Sequence, residues 1–153
     1  YRKNLNAFLK RVDATDARIR KALEPFKGAS FYVFHPSFGY FADAYGLRQE
    51  AVEVGGKSPT AKQLAQLVRK ARSEGVKVIF VQPQFSRKSA EAVADAIDGA
   101  VVPIDPLARD VLKNLEVVAD SIGKALGGGK ARDRSRASVP TGQAPRQAES
   151  HGT

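Results

Sequence analysis

The chain has no cysteine, which excludes disulfides, thiolate metal sites and cysteine nucleophiles together. Methionine and tryptophan are also lacking, and histidine occurs only at His35 and His151, so imidazole chemistry has two places to reside. No apolar run approaches the roughly 20 residues that a membrane-crossing helix needs. There is no Gly-x-Gly-x-x-Gly after the first predicted strand and no Gly-x-x-x-x-Gly-Lys-Ser/Thr, so the common phosphate loops have no support.

What remains is the composition of a globular protein. The 153 residues are 42% hydrophobic and 27% charged, which fits one domain or at most two with an ordinary core. Of the net charge of +9, the last 30 positions, from Lys124, carry six basic and two acidic residues, giving +4, and residues 1–123 carry 19 and 14, giving +5 over a much larger surface. Such an excess favours solubility and nonspecific attraction to polyanions and says little about specific function.

The two ends differ in character. From the first residues, Leu5, Phe8, Leu9, Val12, Ile19 and Leu23 mostly follow helical spacing, which predicts a helix beginning at the first residue with one buried stripe. The pattern starts without a capping residue, the expectation for a segment of a longer chain. After Leu126, Gly127-Gly128-Gly129 opens a stretch rich in Arg, Ser, Ala, Gln and Pro, so 127–153 is expected to be a disordered basic tail, with His151 a solvated residue in it.

Between the ends, strands alternate with helices. Apolar runs at 31–34, 51–54, 76–81 and 101–104 predict four strands, the last at a sheet edge because of Pro103. Helical patterns fill 36–45, then the segment from Ser58-Pro59 to Gly75, then 87–98 behind Ser86, then the stretch after Asp105-Pro106. Ser58, Ser86 and Asp105 are each suited to cap the helix that follows. The fold class is therefore α/β: a four-stranded, mainly parallel sheet with helices on both faces, preceded by a long helix.

In such sheets ligands bind beyond the carboxyl ends of the strands. His35, Gln82 and Asp105 fall there, after the first, third and fourth strands. An imidazole and a carboxylate at that edge are suitable ligands for a divalent transition metal. Each residue has a plainer alternative: His35 bonded to a nearby backbone group, Asp105 acting only as a helix cap, Gln82 an ordinary loop residue. The aromatic residues Phe31, Tyr32, Phe34, Phe38, Tyr40, Phe41 and Tyr45 fit a strand packed on its following helix better than a base-stacking platform. Ser37 and Ser86 would need a paired base to act as nucleophiles, and none is evident.

The residues themselves resemble a family. Phe34-His35-Pro36-Ser37-Phe38-Gly39-Tyr40-Phe41 and Tyr45-Gly46-Leu47 are similar to the metal-ligand segment of the zinc/manganese substrate-binding proteins of ABC transporters. Gly56-Lys57-Ser58-Pro59-Thr60, Ile79-Phe80-Val81-Gln82-Pro83-Gln84-Phe85-Ser86 and Ile104-Asp105-Pro106-Leu107 follow in the same order. The resemblance implies a two-lobed extracytoplasmic receptor, periplasmic or lipid-anchored, whose lobes are joined by a long helix. On that division 1–27 is the inter-lobe helix, 28–126 the C-terminal metal-binding lobe, and 127–153 the tail. His35 matches the imidazole ligand of this lobe and Asp105 its acidic ligand. The implied cargo is zinc, with manganese or iron possible, passed to a membrane permease. The implied protein is a binding component and not an enzyme, and nucleic acid is not an expected partner.

This sequence departs from that pattern in four ways. It contains no N-terminal lobe with its histidines, it has Pro36 where some relatives have an acidic residue, it has Gln82 where some have Glu, and it lacks the cysteines of a lobe disulfide. Half a site is expected to bind zinc weakly. The exposed lobe interface and first helix are expected to promote self-association. Two other classes compete: a basic nucleic-acid-binding module using the tail, and a small α/β enzyme working at the same strand ends.

Overall fold

The computed structural model of the chain describes residues 1–85 and 87–136. Helix α1, Arg2–Leu23, ends in a single 3-10 turn, Glu24–Phe26. Strand β1 (Ser30–Val33), helix α2 (Gly39–Ala44), β2 (Arg48–Ala51), α3 (Ala61–Ser73), β3 (Val78–Val81), α4 (Arg87–Ala96), β4 (Ala100–Pro103) and α5 (Val111–Arg136) follow. The strands form one sheet in the order β2-β1-β3-β4, every pair parallel. The expected α/β architecture is the one observed, with Pro103 on an edge strand.

Alternation along the central strands divides the core in two. Phe31, Val33 and Phe80 face one side, where they pack with Ile19 and Leu23 of α1, Phe41 and Ala42 of α2, and Val118, Ala119 and Ile122 of α5. Tyr32, Phe34, Ile79 and Val81 face the other, against Ala71 of α3 and Ala90, Val93 and Ala94 of α4. A strand covered on both faces must be apolar at every position, which is why β1 and β3 are legible as hydrophobic runs. Gly99 marks a close approach at the start of β4: a Cβ there would stand 2.7 Å from the Lys77 carbonyl oxygen. Of the aromatic residues, Phe31, Tyr32, Phe34, Phe38 and Phe41 are buried as core packing requires, whereas Tyr40 is exposed.

Several boundaries fall elsewhere than the sequence pattern indicates. Strand β2 is Arg48–Ala51 and not 51–54, because an edge strand with one open side has no need of an apolar run. Helix α2 starts only at Gly39, which leaves His35, Pro36 and Ser37 in a loop. Helix α3 is capped by Thr60 and not Ser58: Thr60 and Gln63 form a reciprocal capping box. Helix α5 is capped by Asp110, whose Oδ1 accepts from the Lys113 N–H at 3.2 Å, and Asp105 caps no helix. The expected cap Ser86 and the tail residue His151 lie outside the described residues.

Helix α5 is traced through Gly127-Gly128-Gly129 to Arg136. An established helix extends at low cost, and Lys130, Ala131 and Arg132 are good helix formers. The Phe26 ring lies along Gly123 and Gly127, where added Cβ atoms would meet it at 3.6 and 3.7 Å. Residues 137–153 of the expected tail are outside the described residues.

The stripe on α1 is only half buried. Thr15, Ile19 and Leu23 are covered, while Leu5, Phe8 and Leu9 are about half exposed, since no other described element reaches them. The covered half is fastened on two flanks. Thr15 Oγ1 donates to Glu116 Oε1 of α5 at 3.0 Å, and Arg18 Nε donates to the same oxygen at 2.8 Å. On the other flank Arg20 Nε donates to Asp16 Oδ2 at 2.8 Å, the Tyr45 hydroxyl donates to Asp16 Oδ1 at 3.1 Å, and Arg20 Nη1 donates to the Ala44 carbonyl at 3.2 Å.

Hydrogen bonds from Arg20 and Arg18 hold the Asp16 and Glu116 carboxyls below their ordinary values. A depressed folded value stabilises the fold above the unfolded carboxylate value of about 4 and loses that contribution as pH falls through the folded one. Thermal unfolding is expected to show a fall in Tm below about pH 4 that is smaller in an Arg18→Gln/Arg20→Gln variant. Thr60→Ala is expected to cost about 1 kcal/mol in urea unfolding, and Ser58→Ala less than about 0.5 kcal/mol.

Candidate metal-ligand site

Because all four strands run parallel, their carboxyl ends lie along one edge of the sheet. The order reverses between β1 and β3, the position where open α/β sheets form a ligand crevice. One polar residue stands just beyond each strand. Across the sheet these are Glu53 after β2, His35 after β1, Gln82 after β3 and Asp105 after β4. The ladder continues past the strands and fixes them there: Glu53 N donates to the Phe34 carbonyl at 3.0 Å, Phe34 N to the Phe80 carbonyl at 2.7 Å, and Ile104 N to the Val81 carbonyl at 2.9 Å.

Gln82 is fully buried and is not the ordinary loop residue its place before Pro83 implies. Its Nε2 donates to the His35 carbonyl at 2.6 Å and to Ser37 Oγ at 2.7 Å, and its Oε1 accepts from His35 N at 3.3 Å. One side-chain amide thus satisfies both backbone groups of His35, which the divergence of β1 from its neighbours leaves without ladder partners. Ser37 Oγ accepts from this amide, and the His35 Nδ1 pairs with Glu53 and not with Ser37.

The His35 ring is held on two sides. It stacks on Phe85 with centroids 4.4 Å apart and planes at 18°. Its Nδ1 pairs with Glu53 Oε2, so the ring bonds a carboxylate and not a backbone group. The His35 side chain is 36% exposed and that of Glu53 only 10%. With Nδ1 engaged by Glu53, Nε2 is the ring nitrogen left for a ligand.

Asp105 forms a local turn in place of a helix cap. Its Oδ1 accepts from Leu107 N at 2.9 Å and from Gln84 Nε2 at 3.3 Å, which leaves Oδ2 as the oxygen available to a ligand. Asn114 Nδ2 of α5 secures the Asp105 carbonyl at 2.6 Å. His35 and Asp105 follow strands two places apart, roughly 9.6 Å between backbones, so an ion shared by them would sit over the end of β3. Among the described residues no group of three His, Cys, Asp or Glu side chains is placed to hold a metal ion.

Glu53 is the site residue that the sequence pattern hides. With the second strand read as 51–54, this carboxylate falls inside a strand; with β2 ending at Ala51, it stands at the ligand edge beside His35.

Fold and site together define a class: an open α/β lobe that presents an imidazole and a carboxylate at the carboxyl edge of its sheet. The chain belongs to the family described as ZnuA, zinc-uptake complex component A, periplasmic, whose model matches residues 1–125. The high-affinity zinc uptake system protein ZnuA of Haemophilus influenzae is 33% identical over 132 residues, which cover 80% of this chain and 39% of that protein. The Brucella abortus protein of the same description is 30% identical over 113 residues, covering 72% of this chain and 34% of its own length. A crystal structure of ZnuA superposes with a TM-score of 0.79 at 40% identity, covering 82% of this chain and 49% of that one. A zinc-bound ZnuA deletion mutant gives 0.76 at 41% identity, covering 82% and 48%. The chain thus spans between a third and a half of the length of these relatives. No described helix is long and apolar enough to cross a membrane.

Removing the Gln82 amide takes the partner of the His35 N–H, while the His35 carbonyl keeps the Ser37 N–H at 2.9 Å. Gln82→Ala is expected to destabilise the fold by about 1–3 kcal/mol, measured by urea unfolding, and to speed hydrogen exchange at the His35 amide.

Proposed function

We propose that this chain supplies the C-terminal half of the metal site of an extracytoplasmic zinc-binding component of an ABC importer. The observation that carries this reading is the His35 ring, braced by Glu53 and Phe85 so that Nε2 is the nitrogen offered at the switch point of the sheet. Asp105 provides the second ligand. Zinc prefers four tetrahedral ligands, and the remaining ones come from histidines of a second lobe outside these 153 residues, a reading that the partial coverage of the relatives supports. Imidazole favours zinc over the harder ions manganese and magnesium, which makes zinc the proposed cargo.

In this role the chain binds and releases an ion and catalyses nothing. A permease in the membrane receives the zinc, and α1 connects this lobe to the other. The receptor works outside the cytoplasm, in the periplasm or held to the membrane by a lipid.

Two protein ligands and no enclosing lobe make a weak site, with a Kd on the order of 1 mM, roughly 4 kcal/mol. The test is a zinc titration of the chain followed by NMR. Resonances of His35, Gln82 and Asp105 are expected to shift together, and the response is expected to vanish in His35→Ala. No response at these residues up to several millimolar zinc would overturn the reading.

A further inference from the structure

We propose that Glu53 is a positioning residue for metal capture: it holds the His35 ring proton on Nδ1 and so keeps a bare Nε2 facing the ion. The inference rests on the reading of His35 as a ligand and assigns a role to a residue outside the His35–Asp105 pair.

A neutral imidazole carries one proton on either nitrogen, and only the nitrogen without it can bind a metal. Nothing about a histidine in a loop fixes that choice. Here a carboxylate oxygen meets Nδ1, and a carboxylate only accepts, so the proton belongs on Nδ1 and the lone pair on Nε2. The ring cannot turn away, because Phe85 covers one face in a near-parallel stack. Flipping it would set a ring carbon against a carboxylate that is nine-tenths buried and has no easy recourse to water.

Glu53 is itself held in place. Its backbone N–H continues the ladder to the Phe34 carbonyl, and the preceding Val52 is buried on the opposite side of the chain in the core beneath α3 and α4. The carboxylate therefore comes from a rigid edge of the sheet. It also places negative charge behind the ring, which favours a dication on its far side. Gln82 performs a different task on the same residue: it fixes the backbone of His35, while Glu53 and Phe85 fix its ring.

The test uses the full chain and two readouts. In metal-free, 15N-histidine-labelled protein, long-range 1H–15N spectra report the tautomer of His35, and with only one other histidine the assignment is simple. The parent is expected to carry the proton on Nδ1, and Glu53→Leu is expected to shift His35 toward Nε2–H. In zinc titrations Glu53→Leu is expected to bind at least tenfold more weakly. Glu53→Gln, whose side-chain carbonyl still accepts from Nδ1–H, is expected to keep the parent tautomer and recover most of the affinity. A parent His35 protonated on Nε2, or unchanged zinc affinity in Glu53→Leu, overturns the role of Glu53. Should Glu53→Leu fail to fold, the parent tautomer and Glu53→Gln decide the question. Unchanged affinity in His35→Ala is a different failure: it removes the ligand reading itself, and the role of Glu53 falls with it.

Discussion

A single buried amide holds the functional edge together. Where β1 leaves the sheet, the chain must turn aside at His35 while its backbone is still partly buried. Gln82 resolves that conflict by bonding both backbone groups of His35 and the Ser37 hydroxyl at once. A hydrophobic side chain would fill the space and leave the His35 N–H without its partner. A carboxylate would accept from the amide but could not donate to the carbonyl. The loop that carries the imidazole is thus ordered by a residue 47 positions away, and the ring can then be aimed by Glu53 and Phe85.

Much of the fold was legible because the two central strands are covered on both faces. Phe31, Tyr32 and Val33, and Ile79, Phe80 and Val81, have no solvent side, so they read as continuous apolar runs. The stripe of α4 was equally clear, since Ala90, Val93, Ala94 and Ile97 all reach the core. The edge strand β2 was not: Arg48, Gln49 and Glu50 satisfy the ladder through their backbones and carry side chains suited to an open edge. That three-residue displacement is what concealed Glu53. Caps were misplaced for a related reason. Ser58 and Asp105 are good capping residues, but Thr60 and Asp110 stand nearer helices whose start is set by packing.

For the site, position in the topology alone singles out His35, Gln82 and Asp105. What position cannot give is the role of each side chain. The same amide that looked like loop became the most buried polar group of the edge, and the aspartate that looked like a cap became the anchor of a turn. Contacts between strands far apart in sequence decide these roles, and periodicity along one strand carries no record of them.

The way α1 is fastened has a mechanical consequence. Its buried residues and its side-chain bonds to the lobe lie between Thr15 and Leu23; of the 13 helical residues before them only Val12 is partly covered, and Lys10, Arg11 and Ala14 border a groove to α5. At 1.5 Å per residue that overhang is a lever of about 20 Å. A tilt of only about 3° at the grip displaces the far end by about 1 Å, more than the roughly 0.5 Å within which a metal constellation must be held. The bonds of Thr15, Asp16, Arg18 and Arg20 therefore act as the bearing of that lever. Their stiffness sets how accurately anything carried at the other end can be brought to face His35.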